Sequence, residues 1–300
     1  MHSEVTTLSL FKNPAEAQSL RGFYLVLLSC FVAMDFQLTN KRALVTGGSR
    51  GIGKAVAYAL AMEGVDVALL ARDEQALSQT AKILSDQTGR RIVGVCADTR
   101  SDEEVRRALA QAEEALGGGM DILVNAAAEP AGYAAPPALA EITSTYLHAQ
   151  MDVKVMGYLR TIQAVVPGMQ RRGWGRIINI SGLAARSTGN AVGSVRNVAV
   201  AALSKNLADE LGPQGINVNV VHPGLTVTER TPEMISHKAR SRGVSEDQVR
   251  AELDATNSTR QLVSAQEVAD VVAFLASPRS RAINGDVVAA GGGIPGSIYY

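Results

Sequence analysis

The segment Thr46-Gly47-Gly48-Ser49-Arg50-Gly51-Ile52-Gly53 packs four glycines into eight residues, and a helical pattern starts at once behind it. Turns of this kind use glycine for unusual dihedrals and for close backbone approach, while the helix N-terminus offers unpaired amides to an anion. The chemistry this indicates is capture of a diphosphate, with Gly47, Ser49, Arg50, Gly51, Ile52 and Gly53 in contact. A glycine cluster alone is weak evidence; its weight comes from standing between a first strand and a first helix. Where a second strand ends, the chain places Ala71 and then Arg72. A guanidinium there suits a 2′-phosphate through paired, charge-assisted hydrogen bonds, and Arg50 supplies a second one. NADP(H) is therefore favoured over NAD(H). Two alternatives stay open: both arginines are ordinary solvated charges, or a two-residue shift puts Asp73 on the ribose hydroxyls as in NAD binders.

The elements that must position these groups read as alternating strands and helices. Apolar, β-branched runs occur at 42–45, 65–70, 92–96, 122–124, 176–180, 217–221 and 286–289. Their near-uniform apolarity is that of parallel strands buried on both faces. Amphipathic stretches at 54–63, 103–116, 142–169, 195–211 and 265–275 lie between them. This spacing predicts an α/β fold, a doubly wound parallel sheet of the Rossmann type with right-handed crossovers. No linker interrupts it, so 35–300 is read as one domain. Residues 1–34 form an extension expected to be poorly ordered. Its apolar run Phe23 to Ala33 is too short to span a bilayer, so stable membrane insertion is not expected; a signal-peptide core is the other reading of that run.

Composition narrows the function classes. The chain has 300 residues, 46% hydrophobic and 19% charged, which allows a sizeable core. Its 29 basic and 29 acidic side chains balance, leaving no global field to recruit nucleic acid. A small-molecule substrate is the expected partner. Two cysteines, Cys30 and Cys96, build neither a disulfide framework nor a metal site, which fits a reducing, cytoplasmic setting.

The glycine turn resembles that of the short-chain dehydrogenase/reductase family, Thr-Gly-x-x-x-Gly-x-Gly, at Thr46, Gly47, Gly51 and Gly53. The resemblance covers roughly the last 265 residues. It implies an adenine contact at Asp98 with Thr99 beside it, and a cofactor contact at Asn125 followed by Ala126. Pro223, Gly224 and Thr228 resemble the segment facing the nicotinamide amide, and Asn284-Gly285-Asp286 with glycines 291–293 resembles the last strand and turn. A mobile substrate lid at about 229–259 and a homo-tetramer or dimer are implied as well.

The resemblance breaks at the catalytic positions. The family uses a Tyr for the substrate proton, a Lys four residues later, a Ser on the carbonyl, and an Asn on the preceding helix. Counting back from Ala202-Leu203, Arg196 stands for the Tyr and Val200 for the Lys. The Ser falls at Gly182, beside Ser181, and the Asn becomes Lys154. Arg196 stays protonated at any working pH and stabilises an oxyanion without exchanging protons. The sharper reading gives Lys154 the ammonium role, as ribose contact or proton donor, with Arg196 and Ser181 polarising the substrate; a lysine beside another cation in a desolvated pocket has a lowered pKa. The bland reading is a decayed site in a nucleotide-binding partner subunit. Tyr133 in the loop after the fourth strand is a surrogate phenol to consider, though loop tyrosines more often pack or face water. Tyr158 and Tyr146 read as packing residues, and His222 as positional.

Overall fold

The computed structural model describes residues 35–128, 136–296 and 298. The N-terminal run Phe23 to Ala33, Cys30 and Tyr133 lie outside them. Seven parallel strands form the central sheet: β1 (Arg42–Thr46), β2 (Asp66–Ala71), β3 (Ile92–Cys96), β4 (Ile122–Asn125), β5 (Gly175–Ile180), β6 (Ile216–Pro223) and β9 (Val287–Ala290). Their order is β3-β2-β1-β4-β5-β6-β9. Chain direction across the sheet reverses between β1 and β4, paired through Thr46 and Asn125. That reversal opens a crevice at the carboxyl edge, where doubly wound sheets hold ligands.

Helices cover both faces because the strands are apolar on both. On one side α1 (Gly51–Met62), α2 (Glu74–Thr88) and α9 (Ala265–Ala276) bring Val56, Leu60, Leu77, Leu84, Val268 and Val272 against Val45, Val67 and Val124. On the other, α3 (Asp102–Leu116), α5 (Gly157–Arg172) and α6 (Ala191–Leu211) pack Leu109, Leu116, Ile162, Val165 and Leu211 on Leu44, Leu123 and Ile177. Each fully buried aliphatic side chain contributes about 1.5–3 kcal/mol. Helix α2 was not anticipated from the sequence, although Asp73 caps its start by accepting from the Ala76 amide and Gly89 ends it in the left-handed region.

The expected helix 142–169 is broken. α4 (Ser144–Met151) passes into a π-helical turn, Asp152–Met156, before α5 begins. An extra residue in the turn rotates the rest of the helix about its axis, and Lys154 is the one residue of that turn driven into the interior. Gly157 lets the resumed helix close on the sheet edge, because a Cβ there would lie 3.0 Å from Thr99 Oγ1.

Two further helices, α7 (Thr231–Arg242) and α8 (Glu246–Asp254), occupy the segment expected as a lid. Met234, Ile235, Ala239 and Val249 give them a small core of their own. A two-stranded pairing of β7 (Thr226–Val227) with β8 (Val263–Ser264) closes the base of this insert. No helix among the described residues is long and apolar enough to cross a membrane.

Candidate functional site

A cavity of about 590 Å³ follows the carboxyl edge of the sheet. It runs from Arg72, Asp98 and Thr99 after β2 and β3, past residues 47 to 53, to Lys154, Ser181, Pro223 and Gly224 around β5 and β6. The size is that of an ordinary small-ligand site.

The glycine turn is built for close approach. Gly47 takes φ +67°, and a Cβ on it would meet Ala126 O at 2.8 Å. A Cβ on Gly53 would come within 2.3 Å of Gly47 O. Thr46 Oγ1 accepts from the amides of both Ala126 and Ala127 at 3.1 Å, locking the two loops together. Helix α1 starts here without a side-chain cap from Arg50 and without an acid in its first turn, so its leading amides have no partner within the helix. This cradle fits a diphosphate.

Of the expected contacts, Gly47, Ser49, Arg50, Gly51, Ile52, Gly53, Arg72, Asp98, Thr99, Ala126, Pro223, Gly224 and Thr228 line the cavity. Asn125 does not. It lies fully buried beneath the floor, accepting from Thr161 Oγ1 at 2.7 Å and donating to Asn179 Oδ1 at 3.0 Å. Asn179 continues the chain to Ser204 Oγ at 2.9 Å. Asn125 thus braces β4 against β5 next to Ala126, which lines the cavity. Asp98 is held by Arg100, whose guanidinium keeps its carboxyl below the usual range, helped by Arg72.

At the other end, Lys154 Nζ donates to the Ser181 carbonyl at 2.9 Å and is 4% exposed. Desolvation, reinforced by the charge of Arg196, lowers its pKa to about 7. The Ser181 hydroxyl donates to Asn197 O at 3.1 Å. His222 Nδ1 accepts from the Gly182 amide at 3.2 Å, and burial with the charges of Arg186 and Lys154 pushes its pKa to about 4. At neutral pH it is therefore uncharged. Tyr158 is buried, donating to Ile180 O at 2.8 Å, with its pKa raised by desolvation.

Comparison with known proteins gives the same arrangement a family. The model described as enoyl-(acyl carrier protein) reductase matches residues 47–295. The short-chain reductase protein NovJ of Streptomyces niveus is 34% identical over 254 residues, covering 84% of this chain and 93% of its own length. The crystal structure of L-sorbose reductase from Gluconobacter frateurii, complexed with NADPH and L-sorbose, superposes with TM-score 0.81 at 28% identity, covering 88% of this chain and all of that one. NAD+-bound xylitol dehydrogenase superposes with TM-score 0.76 at 25% identity, covering 86% of this chain and 100% of its own. The chain belongs to the short-chain dehydrogenase/reductase family.

Neither of the two α6 positions counted from the sequence lines the cavity. Val200, counted as the Lys position, is fully buried in a cluster with Tyr158 and Val220. Arg196, counted as the Tyr position, lies outside the cavity lining, with Nη1 donating to Gln150 Oε1. The inward face of α6 instead carries Gly193, Asn197, Val200, Ser204 and Ala208. Residues four apart that precede Val200 on this face are Gly193 and Asn197, and Asn197 Nδ2 donates to Gly182 O at 3.4 Å. Asn197 Oδ1 is buried without a hydrogen-bond partner among the described residues.

Proposed function

We propose that this member of the short-chain dehydrogenase/reductase family is an NADP(H)-dependent oxidoreductase interconverting a carbonyl and an alcohol, with Lys154 Nζ exchanging the substrate proton. The observation that carries this reading is a buried lysine lining the cavity, bonded to a backbone carbonyl, with its pKa at about 7. A group titrating near the working pH is suited to general acid and base catalysis. When bound, the dinucleotide supplies or accepts the hydride. Lys154 as ammonium gives one proton to the alkoxide oxygen in reduction and, as neutral amine, takes it back in oxidation. The amides at the start of α1 would hold the diphosphate, and Pro223, Gly224 and Thr228 would border the nicotinamide. Arg196 acts through its charge on Lys154. Ser181 orients Lys154 through its carbonyl while its hydroxyl is committed to α6.

For the choice of dinucleotide, Arg50, Arg72 and Asp73 all line the cavity; Asp73 Oδ1 caps α2, and the two guanidiniums suit a 2′-phosphate. Relatives crystallised with NADPH and with NAD+ are both known, and the NADP(H) assignment rests on these side chains. A homo-dimer or tetramer is supported by apolar side chains exposed on α4, the π-helical turn and α6: Tyr146, Met156, Val195 and Val198.

The test is NADPH consumption against a panel of ketones, aldehydes and keto acids by wild type and Lys154→Arg. Arginine keeps a cation but gives up no proton, so turnover should fall about 100-fold or more. Wild-type reduction should decline as pH rises through about 7, where the ammonium is lost. Equal turnover by the two proteins refutes the role of Lys154. NADPH binding without turnover by either favours the non-catalytic nucleotide-binding reading.

A further inference from the structure

Helix α1 lacks a local cap, yet its first amide is not left to solvent. Gly51 N–H donates to Glu229 Oε1 at 2.8 Å, a carboxylate supplied from 178 residues away. Glu229 stands in the turn that leads into α7, and that turn is self-supporting: the Thr228 amide donates to Thr231 Oγ1 at 2.9 Å. The far end of the insert is tied separately, where Ser258 N–H donates to Gly292 O at 3.0 Å. An acid at a helix N-terminus is favourable by itself. At this helix it occupies the amide cluster that fits a diphosphate, and Thr228 and Arg230, on either side of it, line the same cavity.

Resting on the dinucleotide reading above, the geometry points to Glu229 as a positioning residue: it latches the α7–α8 insert to the phosphate turn until an incoming diphosphate displaces it. One N–H does not serve two anionic acceptors, and the two negative charges repel. Cofactor entry therefore breaks the Glu229 bond and frees the leading turn of the insert. Binding at the phosphate turn is in this way coupled to the part of the fold that borders the substrate end.

The experiment compares wild type with Glu229→Gln, which removes the charge, and Glu229→Ala, which removes the acceptor as well. NADPH and ADP-ribose, which both carry the diphosphate, should bind each variant about threefold tighter, the fold-change expected for relieving one exposed charge at a helix terminus. Binding of 2′-AMP, which has no diphosphate, should be unchanged. Without ligand, trypsin should cut at the exposed Arg240 and Arg242 of α7 severalfold faster in Glu229→Ala than in wild type. Unchanged or weaker NADPH affinity in the variants overturns the displacement, and so does equal tightening of 2′-AMP. Equal tryptic rates overturn the latch, whatever the ligands do. If NADPH and ADP-ribose bind neither wild type nor variants, the dinucleotide reading fails and takes the displacement with it.

Discussion

Replacing Lys154 by Met should make the protein's stability less dependent on pH between pH 7 and pH 9. In the folded chain the Nζ proton is held with a pKa of about 7, against an ordinary 10.5. From pH 7 upward the unfolded chain therefore carries a proton that the folded chain has released. Stability rises with pH wherever the unfolded state binds more protons. With about 1.4 kcal/mol for each tenfold step, wild type should gain about 2 kcal/mol between pH 7 and pH 9. Lys154 is 4% exposed, so solvent screening takes little from this figure. Methionine fills similar volume without a charge. It forfeits the bond to Ser181 O, a cost of about 1 kcal/mol that does not vary with pH. Urea unfolding of both proteins at pH 7, 8 and 9 isolates the effect, since other titrating groups cancel in the difference. A wild-type minus variant difference that stays constant across this range refutes the lowered lysine, and with it the physical basis of the proposed proton transfer.

Arg72→Ala should weaken NADPH binding about tenfold while leaving NADH within twofold, the loss expected of one charge-assisted contact to a 2′-phosphate; calorimetry with both dinucleotides decides it. Gly53→Ala should destabilise the fold by about 1–3 kcal/mol and abolish dinucleotide binding, because its Cβ would lie 2.3 Å from Gly47 O; thermal melting and fluorescence titration read the two effects. His222, held at about 4 against an ordinary 6.5, leaves the unfolded chain more protonated between these values, so wild-type stability should climb from pH 4 to pH 6.5 and His222→Gln should lack that part of the climb. Val195→Lys with Val198→Glu should shift the chain to a smaller species by size-exclusion chromatography if α6 joins two copies; an unchanged elution volume removes that interface.

Local pattern is the part of this fold that the sequence makes legible. The strands stand out because a strand buried on both faces is apolar at nearly every position, as Val67 to Leu70 of β2 show. The glycine turn is legible because backbone approach and positive φ leave few residue choices at Gly47 and Gly53. Helix α2 was overlooked although Leu77, Thr80, Ala81 and Leu84 recur at helical spacing between a capping Asp73 and Gly89. Which residues of α6 turn toward the site was less legible. The helix buries Gly193, Asn197 and Val200 and leaves Arg196 half-buried beside Gln150, outside the cavity.

Lys154 shows a different limit. Its residue type pointed to chemistry, but a lysine within a long amphipathic stretch normally lies on the solvent side. What buries it is the π-helical turn at Asp152–Met156, a backbone event with no signature in hydrophobic spacing. The same turn brings Gly157 against Thr99 at the cavity edge. Straightening it would return Lys154 toward the helix surface and restore an ordinary lysine. The proposed proton transfer therefore depends on an irregularity in the helix as much as on the side chain, and a variant that regularised the turn should lose the pH-dependent stability of wild type even with Lys154 intact.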